Sequence, residues 1–193
     1  SMSEILKEFT TVVPFWEPRV KPVVLAEATP EQLEAMKVTV SDTKIGNYTL
    51  VLALDPETLQ QRTPLFNGIM FHHGGLSRAE TEFGAVAASV VNECIYCAAV
   101  HANRYNQLTK DESVMDLIFA DRKDANLDDR QKSMLNFSTK LSQSPPEADK
   151  ADVDRMVENG LGLEEIFDLT LSTSIFAWAN RLMHILGEPH PQP

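Results

Sequence analysis

Both cysteines of the 193-residue chain lie in one stretch, Asn92-Glu93-Cys94-Ile95-Tyr96-Cys97-Ala98-Ala99-Val100-His101. Two thiols three positions apart can form a disulfide and be reduced again. The preceding residues, 83–91, are rich in small and apolar side chains and indicate a helix, and Asn92 is a residue type that often caps the start of another. The stretch therefore predicts two consecutive helices, with Cys94 in the exposed first turn of the second.

The position of each sulfur on this helix predicts a chemical role. The positive end of a helix favours thiolate over thiol, so Cys94 benefits from lying in the first turn. Cys97 and His101 are four positions apart, and such residues lie on one face of a helix. This spacing places a base beside a sulfur nucleophile, which is how reactive cysteines are activated.

A carboxylate is the third candidate of the site. The segment Ser77-Arg78-Ala79-Glu80 has the form of a capping box and opens the preceding helix, which contains Glu82. If the chain turns near Asn92 and the two helices pack side by side, Glu82 approaches His101. It could then orient the imidazole and pass protons. The alternative is an ordinary solvated glutamate in the first turns of a helix.

These four residues have the spacing Glu-x11-Cys-x2-Cys-x3-His, with Glu82, Cys94, Cys97 and His101 in that order. The pattern resembles the AhpD alkylhydroperoxidase family, a branch of the carboxymuconolactone decarboxylase-like superfamily. The resemblance is specific over about residues 77–108, and the whole chain looks like the branch of uncharacterised peroxidase-related proteins. It implies an all-α, AhpD-like helical bundle. Tyr96 departs from the pattern, because well-studied members have a histidine between the two cysteines.

The resemblance also implies a two-cysteine peroxidase cycle. Glu82 and His101 would take the proton of Cys97, whose thiolate reduces a hydroperoxide and becomes a sulfenic acid. Cys94 would then form a disulfide with Cys97, and an external dithiol would reduce it by attack on Cys94. The implied partners are a small hydroperoxide and a lipoyl-bearing or thioredoxin-like reductant. We expect no cofactor.

Several other interpretations remain open. The chain could be a protein thiol–disulfide oxidoreductase, or a non-catalytic helical protein that binds or assembles with others. The cysteines could also be inert buried thiols. His72 and His73 could line a pocket or join Cys97 and His101 around a metal ion, although a structural zinc site needs four ligands and the chain has no second cysteine pair.

The composition limits the class of protein. The chain carries a net charge of −11, which disfavours binding to nucleic acids and to anionic membrane surfaces. No apolar run approaches the roughly 18 residues that span a bilayer. The first residues lack the basic and then apolar pattern of a signal peptide, so we expect a cytoplasmic protein.

The order of sequence patterns predicts three parts. Residues 1–28 contain Pro14, Pro18 and Pro22 among apolar side chains, and we expect an extended arm packed on its own domain or on a neighbouring subunit. Residues 29–188 form the helical domain, and residues 189–193 form a loose tail. Small helical domains of the family that the chain resembles generally pack into symmetric oligomers, so the resemblance also implies a homo-oligomer.

Capping residues and apolar periodicity place the remaining helices. One begins after Thr29 and reaches about Val38, and another covers residues 47–54. A longer helix begins at Asp55-Pro56 and is kinked or divided at Pro64. The other predicted helices begin at Thr109 and Asp128 or cover residues 151–159 and 163–186. Residues 99–104 resemble residues 176–181, which suggests a duplicated helical unit.

Overall fold

The computed structural model describes residues 4–37 and 44–193, which form an all-α domain with one two-stranded sheet. The prediction of an all-α fold is confirmed. Within the described residues the elements are β1 (Phe15–Pro18), α1 (Pro30–Ala35), α2 (Asn47–Leu52), α3 (Pro56–Phe71), α4 (Arg78–Val91), α5 (Ile95–Thr109), α6 (Ser113–Asp121), α7 (Asp129–Leu141), α8 (Lys150–Glu158), α9 (Leu163–Leu186) and β2 (Gly187–His190).

Helix α4 lies at the centre of the bundle and packs against α5, α7 and α9. Residues 81–90 of this helix are all buried, because small and apolar residues cover its whole circumference. Gly84 allows α4 and α9 to approach closely, since a Cβ atom there would lie 2.3 Å from the hydroxyl oxygen of Ser172. The helix that contains Glu82 is therefore held rigidly in the core.

The long final helix confirms the sequence prediction. Helix α9 runs from Leu163 to Leu186, and Gly187 follows it in extended conformation. Its buried residues lie against α3, α4 and α7, as expected for a sequence that is apolar through much of its length. No helix in the described part of the chain is both long and apolar enough to cross a bilayer.

The turn between α4 and α5 differs from the prediction. Asn92 is the C-cap of α4 rather than the N-cap of the next helix, and Cys94 itself is the N-cap of α5. Glu93 has a left-handed backbone with φ of 54°, which ends α4 and reverses the chain. The backbone N–H of Cys97 then lies 3.4 Å from the sulfur of Cys94, which takes the place of a capping oxygen.

Several helix boundaries also differ. Helix α1 begins after the Thr29 cap as predicted but ends at Ala35, and the predicted end at Val38 lies outside the described residues. Helix α3 continues through Pro64 without being divided. The helix predicted to begin at Thr109 begins at Ser113, because Thr109 is the last residue of α5. The short helix predicted over residues 47–54 is present as α2.

The two ends of the chain are paired with each other. Strand β1 pairs antiparallel with β2, with Phe15 opposite His190 and Pro18 opposite Gly187. Residues 189 and 190 are therefore not part of a loose tail as predicted, because the extended arm supplies backbone groups that hydrogen-bond to them. Trp16 of the arm is buried, and its indole N–H donates to the carbonyl oxygen of Met183 on α9 at 3.4 Å. The arm packs on its own chain.

Candidate active site

A cavity of about 630 Å³ lies between the arm and helices α2, α3, α4, α5 and α9. Its volume is in the range of small-molecule sites. Three of the four residues predicted for the site line its wall: Glu82 from α4, and Cys97 and His101 from α5. The fourth, Cys94, is not among the described residues that line the cavity.

The two cysteines form a disulfide whose Cα atoms are 5.4 Å apart. Cys94 is 8% exposed and Cys97 is 2% exposed, so the prediction of an exposed Cys94 is wrong. Trp16, Val51 and Met183 pack with both cysteines in one hydrophobic cluster. The start of α5 is therefore covered by the arm and by α2, which sequence patterns around the cysteines do not reveal.

Glu82 and His101 are brought together as predicted. A carboxylate oxygen of Glu82 (Oε2) contacts Nδ1 of His101, and the other oxygen (Oε1) pairs with the guanidinium of Arg78, one turn earlier on α4. Burial raises the pKa of the Glu82 carboxyl, but the charges and hydrogen bonds of His101 and Arg78 outweigh burial and hold that pKa below its usual value. The site thus contains a buried, ionised carboxylate beside an imidazole.

The imidazole of His101 is also held from its other side. Its ring meets the ring of Phe176 edge-on, with centroids 4.3 Å apart and an interplanar angle of 69°.

The sulfur of Cys97 lies 3.3 Å from the sulfur of Met183. Among the described residues no hydrogen bond joins His101 to Cys97, although both line the cavity in this oxidised form. Proton transfer between them would need a rotation of a side chain or a bridging water.

The other residues that the sequence suggested for the site, Tyr96, His72 and His73, lie in different parts of the structure. Tyr96 lines the cavity and packs with the cysteine cluster. His72 is hydrogen-bonded to Asp168 at 3.1 Å, and neither His72 nor His73 lines the cavity. The described residues contain no group of three or more His, Cys, Asp or Glu side chains that could hold a metal ion. The hypothesis that the histidines join the cysteine site around a metal is therefore unsupported.

Sequence reasoning missed several residues of the cavity. Arg78 could have been found from its i,i+4 spacing to Glu82, a common ion-pair spacing on helices. Arg104 lies seven positions after Cys97, which places it two turns along the same face of α5. Trp16 and Met183 reach the site from the two ends of the chain, and no local pattern indicates that they meet.

Comparison with known proteins agrees with this geometry. The carboxymuconolactone decarboxylase family model matches residues 56–114, which include all four predicted site residues. The AhpD core structure of an uncharacterised peroxidase-related protein from Ralstonia eutropha is 26% identical, with a TM-score of 0.77, and the match covers 88% of this chain and 90% of that chain. An uncharacterised peroxidase-related protein from Silicibacter is also 26% identical, with a TM-score of 0.72 and coverage of 88% and 91%.

A third solved structure shows a similarity of fold alone. The debrominase Bmp8, bound to 2,3,4-tribromopyrrole, is 18% identical, with a TM-score of 0.69 and coverage of 84% of this chain and 86% of that chain. No curated protein sequence matches the chain significantly. The helical architecture, the family match over residues 56–114 and the peroxidase-related structures agree with one another. Residues 56–114 thus match the carboxymuconolactone decarboxylase family model, and the chain as a whole resembles AhpD-like peroxidase-related proteins.

Proposed function

We propose that this protein is a thiol peroxidase that reduces organic hydroperoxides through Cys97 and a Cys94–Cys97 disulfide. The observation that carries the proposal is the position of Cys97 on the wall of a cavity that it shares with the Glu82–His101 pair. A small oxidant in this cavity meets the sulfur and the proton-transfer groups together. The peroxidase-related relatives support the same class of activity.

The first half of the cycle begins with the reduced protein. The Glu82–His101 pair takes the proton of the Cys97 thiol, and the thiolate attacks the terminal oxygen of the hydroperoxide. A sulfur–oxygen bond forms and the oxygen–oxygen bond breaks, which yields a sulfenic acid on Cys97. The leaving alkoxide takes a proton, for which protonated His101 is the source on the cavity wall, and departs as an alcohol.

The second half restores the thiols. The sulfur of Cys94 attacks the sulfenic acid of Cys97, so that a disulfide forms and one water molecule leaves. An external dithiol then attacks Cys94, forms a mixed disulfide and is itself oxidised as both protein thiols are released. The N-cap position of Cys94 favours its thiolate and supports the roles of resolving cysteine and leaving group.

The burial of the disulfide restricts the reductant. Both cysteines are buried and pack with Trp16, Val51 and Met183, so a broad protein surface would need to displace this layer to reach Cys94. A dithiol on a slender arm, such as a lipoyl group, needs less room than the folded surface of a thioredoxin-like protein. The same burial makes the alternative activity, thiol–disulfide exchange with large protein substrates, less compatible with the site.

A direct experiment tests the proposal. The reduced protein is treated with one equivalent of cumene hydroperoxide, free thiols are titrated, and peptides are mapped. We expect the loss of two thiols per chain and a Cys94–Cys97 disulfide. The Cys97→Ser variant should keep its remaining thiol, whereas the Cys94→Ser variant should accumulate a sulfenic acid that dimedone labels. If the wild-type protein keeps both thiols, the peroxidase proposal fails and a binding function is favoured.

The homo-oligomer also stays a prediction. The arm is used within its own chain, and one apolar surface available for association is the outward face of α9. Apolar side chains are exposed along this face at helical spacing, namely those of Leu163, Phe167, Trp178 and Ile185. Light scattering at micromolar concentration should give at least the mass of a dimer, and a monomeric mass would contradict the prediction.

A further inference from the structure

The charge of the cavity wall is opposite to the charge of the protein. The chain has a net charge of −11, yet the described residues of the wall include Arg62, Arg78, Arg104 and Lys44. Among the described lining residues the only acidic side chain is that of Glu82, and it is already paired with Arg78 and His101. The excess of cationic over acidic side chains on the described wall gives the cavity a positive potential that attracts anions.

Much of the wall is apolar and aromatic. The ring of Phe66 lies 6.5 Å from that of Phe71 and 5.7 Å from that of Phe176, and Phe176 in turn contacts His101. The guanidinium of Arg62 lies over the ring of Phe66 at 4.5 Å, which fixes its position on the wall. A ligand that fits this surface has an apolar body as well as a negative charge.

A buried hydroxyl lies next to one of these cations. The Tyr48 hydroxyl is on the cavity wall and has no hydrogen-bond partner within residues 4–37 and 44–193. Burial raises the pKa of Tyr48 to about 12, although the nearby charge of Arg62 opposes the effect. The hydroxyl is thus a neutral donor at physiological pH. A buried donor without an acceptor is costly, and a ligand oxygen would remove this cost.

The position of Arg104 on α5 indicates how far from Cys97 an anion would bind. Arg104 follows Cys97 by seven residues on α5, which corresponds to about 10 Å along the helix axis. Arg104 forms no ion pair among the described residues. An anionic group near Arg104 would therefore be separated from a group that reacts at Cys97 by a chain of several carbon atoms.

We propose that the cavity selects an organic hydroperoxide with a carboxylate at the end of an apolar body, and that Arg62, Arg104 and the Tyr48 hydroxyl bind this carboxylate. The aromatic wall holds the apolar body while the peroxide faces Cys97. This inference rests on the proposed peroxidase function for its reactive half. The carboxylate-binding part of the proposal is supported by the positive charge of the cavity wall, by its apolar surface and by the Tyr48 hydroxyl, which has no described hydrogen-bond partner.

Binding of a carboxylate that has no peroxide group tests the carboxylate-binding part of the proposal by itself. Octanoate and octanol are titrated into the oxidised protein by calorimetry. We expect octanoate to bind at least about tenfold more tightly than octanol, and the Arg62→Gln and Arg104→Gln variants to lose most of this preference. The exposed Arg155→Gln, on α8 and outside the cavity, has the same change of charge and should keep it. Equal binding of the two probes would overturn the inference.

The Tyr48→Phe variant separates binding from folding. The Tyr48 hydroxyl has no described partner to lose, so its removal should leave the unfolding temperature unchanged or raise it. Octanoate binding should nevertheless weaken several-fold, because the donor to the carboxylate is gone. Unchanged binding of octanoate would remove Tyr48 from the site and contradict the proposal as stated.

A kinetic comparison tests the complete proposal. Single-turnover oxidation of the reduced protein is measured with linoleic acid hydroperoxide and with its methyl ester, below their aggregation limits. We expect the acid to react at least about tenfold faster, and Arg104→Gln to reduce this ratio toward one. Fast oxidation by both compounds at the same rate would refute the inference and leave the peroxidase function intact. Tight octanoate binding without oxidation by either compound would support the carboxylate site and refute the peroxidase function.

Discussion

The carboxylate of Glu82 contacts the imidazole of His101 across the interface of two antiparallel helices, α4 and α5. Arg78 binds the second oxygen of the same carboxylate, and Phe176 packs against the imidazole. The carboxylate thus fixes which nitrogen of the ring faces the protein. His101 also lines the cavity, where a proton can be exchanged.

The rate of Cys97 oxidation should depend on pH in a way that shows the effect of the Glu82–His101 pair. A cysteine with the ordinary pKa of about 8.5 is only about 3% ionised at pH 7, so loss of an effective base can slow the reaction by up to about thirtyfold. We expect Glu82→Gln to cause a loss approaching this size at pH 7 and little loss above pH 9. Stopped-flow measurement of peroxide consumption at a series of pH values checks this prediction.

Glu80→Gln provides the control for that experiment. Glu80 lies on the same helix but pairs with Arg130, and it does not line the cavity. Its replacement should leave the pH profile of the reaction unchanged. A rate for Glu82→Gln that equals the wild-type rate across pH 6 to 9 would show that the carboxylate has no part in proton transfer.

The same carboxylate should make the stability of the protein depend on pH. The pKa of Glu82 is lowered in the folded protein, so its contribution to stability is present above the unfolded pKa of about 4.3 and is lost as the pH falls through the folded pKa. At pH 7 we expect Glu82→Gln to lower the free energy of unfolding by about 3 kcal/mol, because the partner cations lose their carboxylate. Denaturant unfolding should show this difference shrinking steadily below pH 4. A difference that is constant from pH 7 to pH 3 would contradict the ionised carboxylate.

Trp16 should control access to Cys94. Its ring is 4% exposed and packs with both cysteines, so Trp16→Ala opens a gap over the start of α5. We expect iodoacetamide to label Cys94 of the reduced variant at least about tenfold faster, with a loss of stability of about 3 kcal/mol. Mass spectrometry of the labelled peptide measures the rate. Trp178→Ala, at the other and exposed tryptophan, should leave the labelling rate of Cys94 unchanged.

The close contact of α4 with α9 gives a packing prediction. Gly84→Ala places a methyl group 2.3 Å from the Ser172 hydroxyl oxygen and should destabilise the protein by about 1–3 kcal/mol as the helices separate. Gly68→Ala on α3 is the matched control, because a Cβ atom there meets nothing within 4 Å. It should stabilise the protein by up to about 1 kcal/mol, since alanine favours helix over glycine. Thermal unfolding of both variants distinguishes the effects, and equal stability would contradict the described contact.

The sequence was most informative where a local pattern determines the structure. The ends of α9 and the approach of Glu82 to His101 depend on capping, apolar periodicity and residue spacing, and these were predicted. The roles of Asn92 and Cys94 at the turn were assigned wrongly, because an asparagine is suited to either end of a helix. The choice depended on the left-handed backbone of Glu93, which no residue type specifies.

Local sequence patterns could not predict the contacts between residues that are far apart in the chain. Strands β1 and β2 are about 170 residues apart in the chain, and neither is recognisable as a strand without the other. The burial of Cys94 follows from this pairing and was missed with it. The basic wall of the cavity combines residues from separate helices, such as Arg62 and Arg104, so the net charge of −11 concealed it.

The pairing of β1 with β2 holds Trp16 in the layer over the disulfide. A two-stranded sheet is only marginally stable by itself and opens locally at a lower free energy than the helical core. Exposure of Cys94 therefore depends on fraying of a short sheet rather than on opening of the helical bundle. Under the proposed function, the rate at which the disulfide is reduced then depends on opening of this sheet, and hydrogen exchange at residues 15–18 and 187–190 measures that opening.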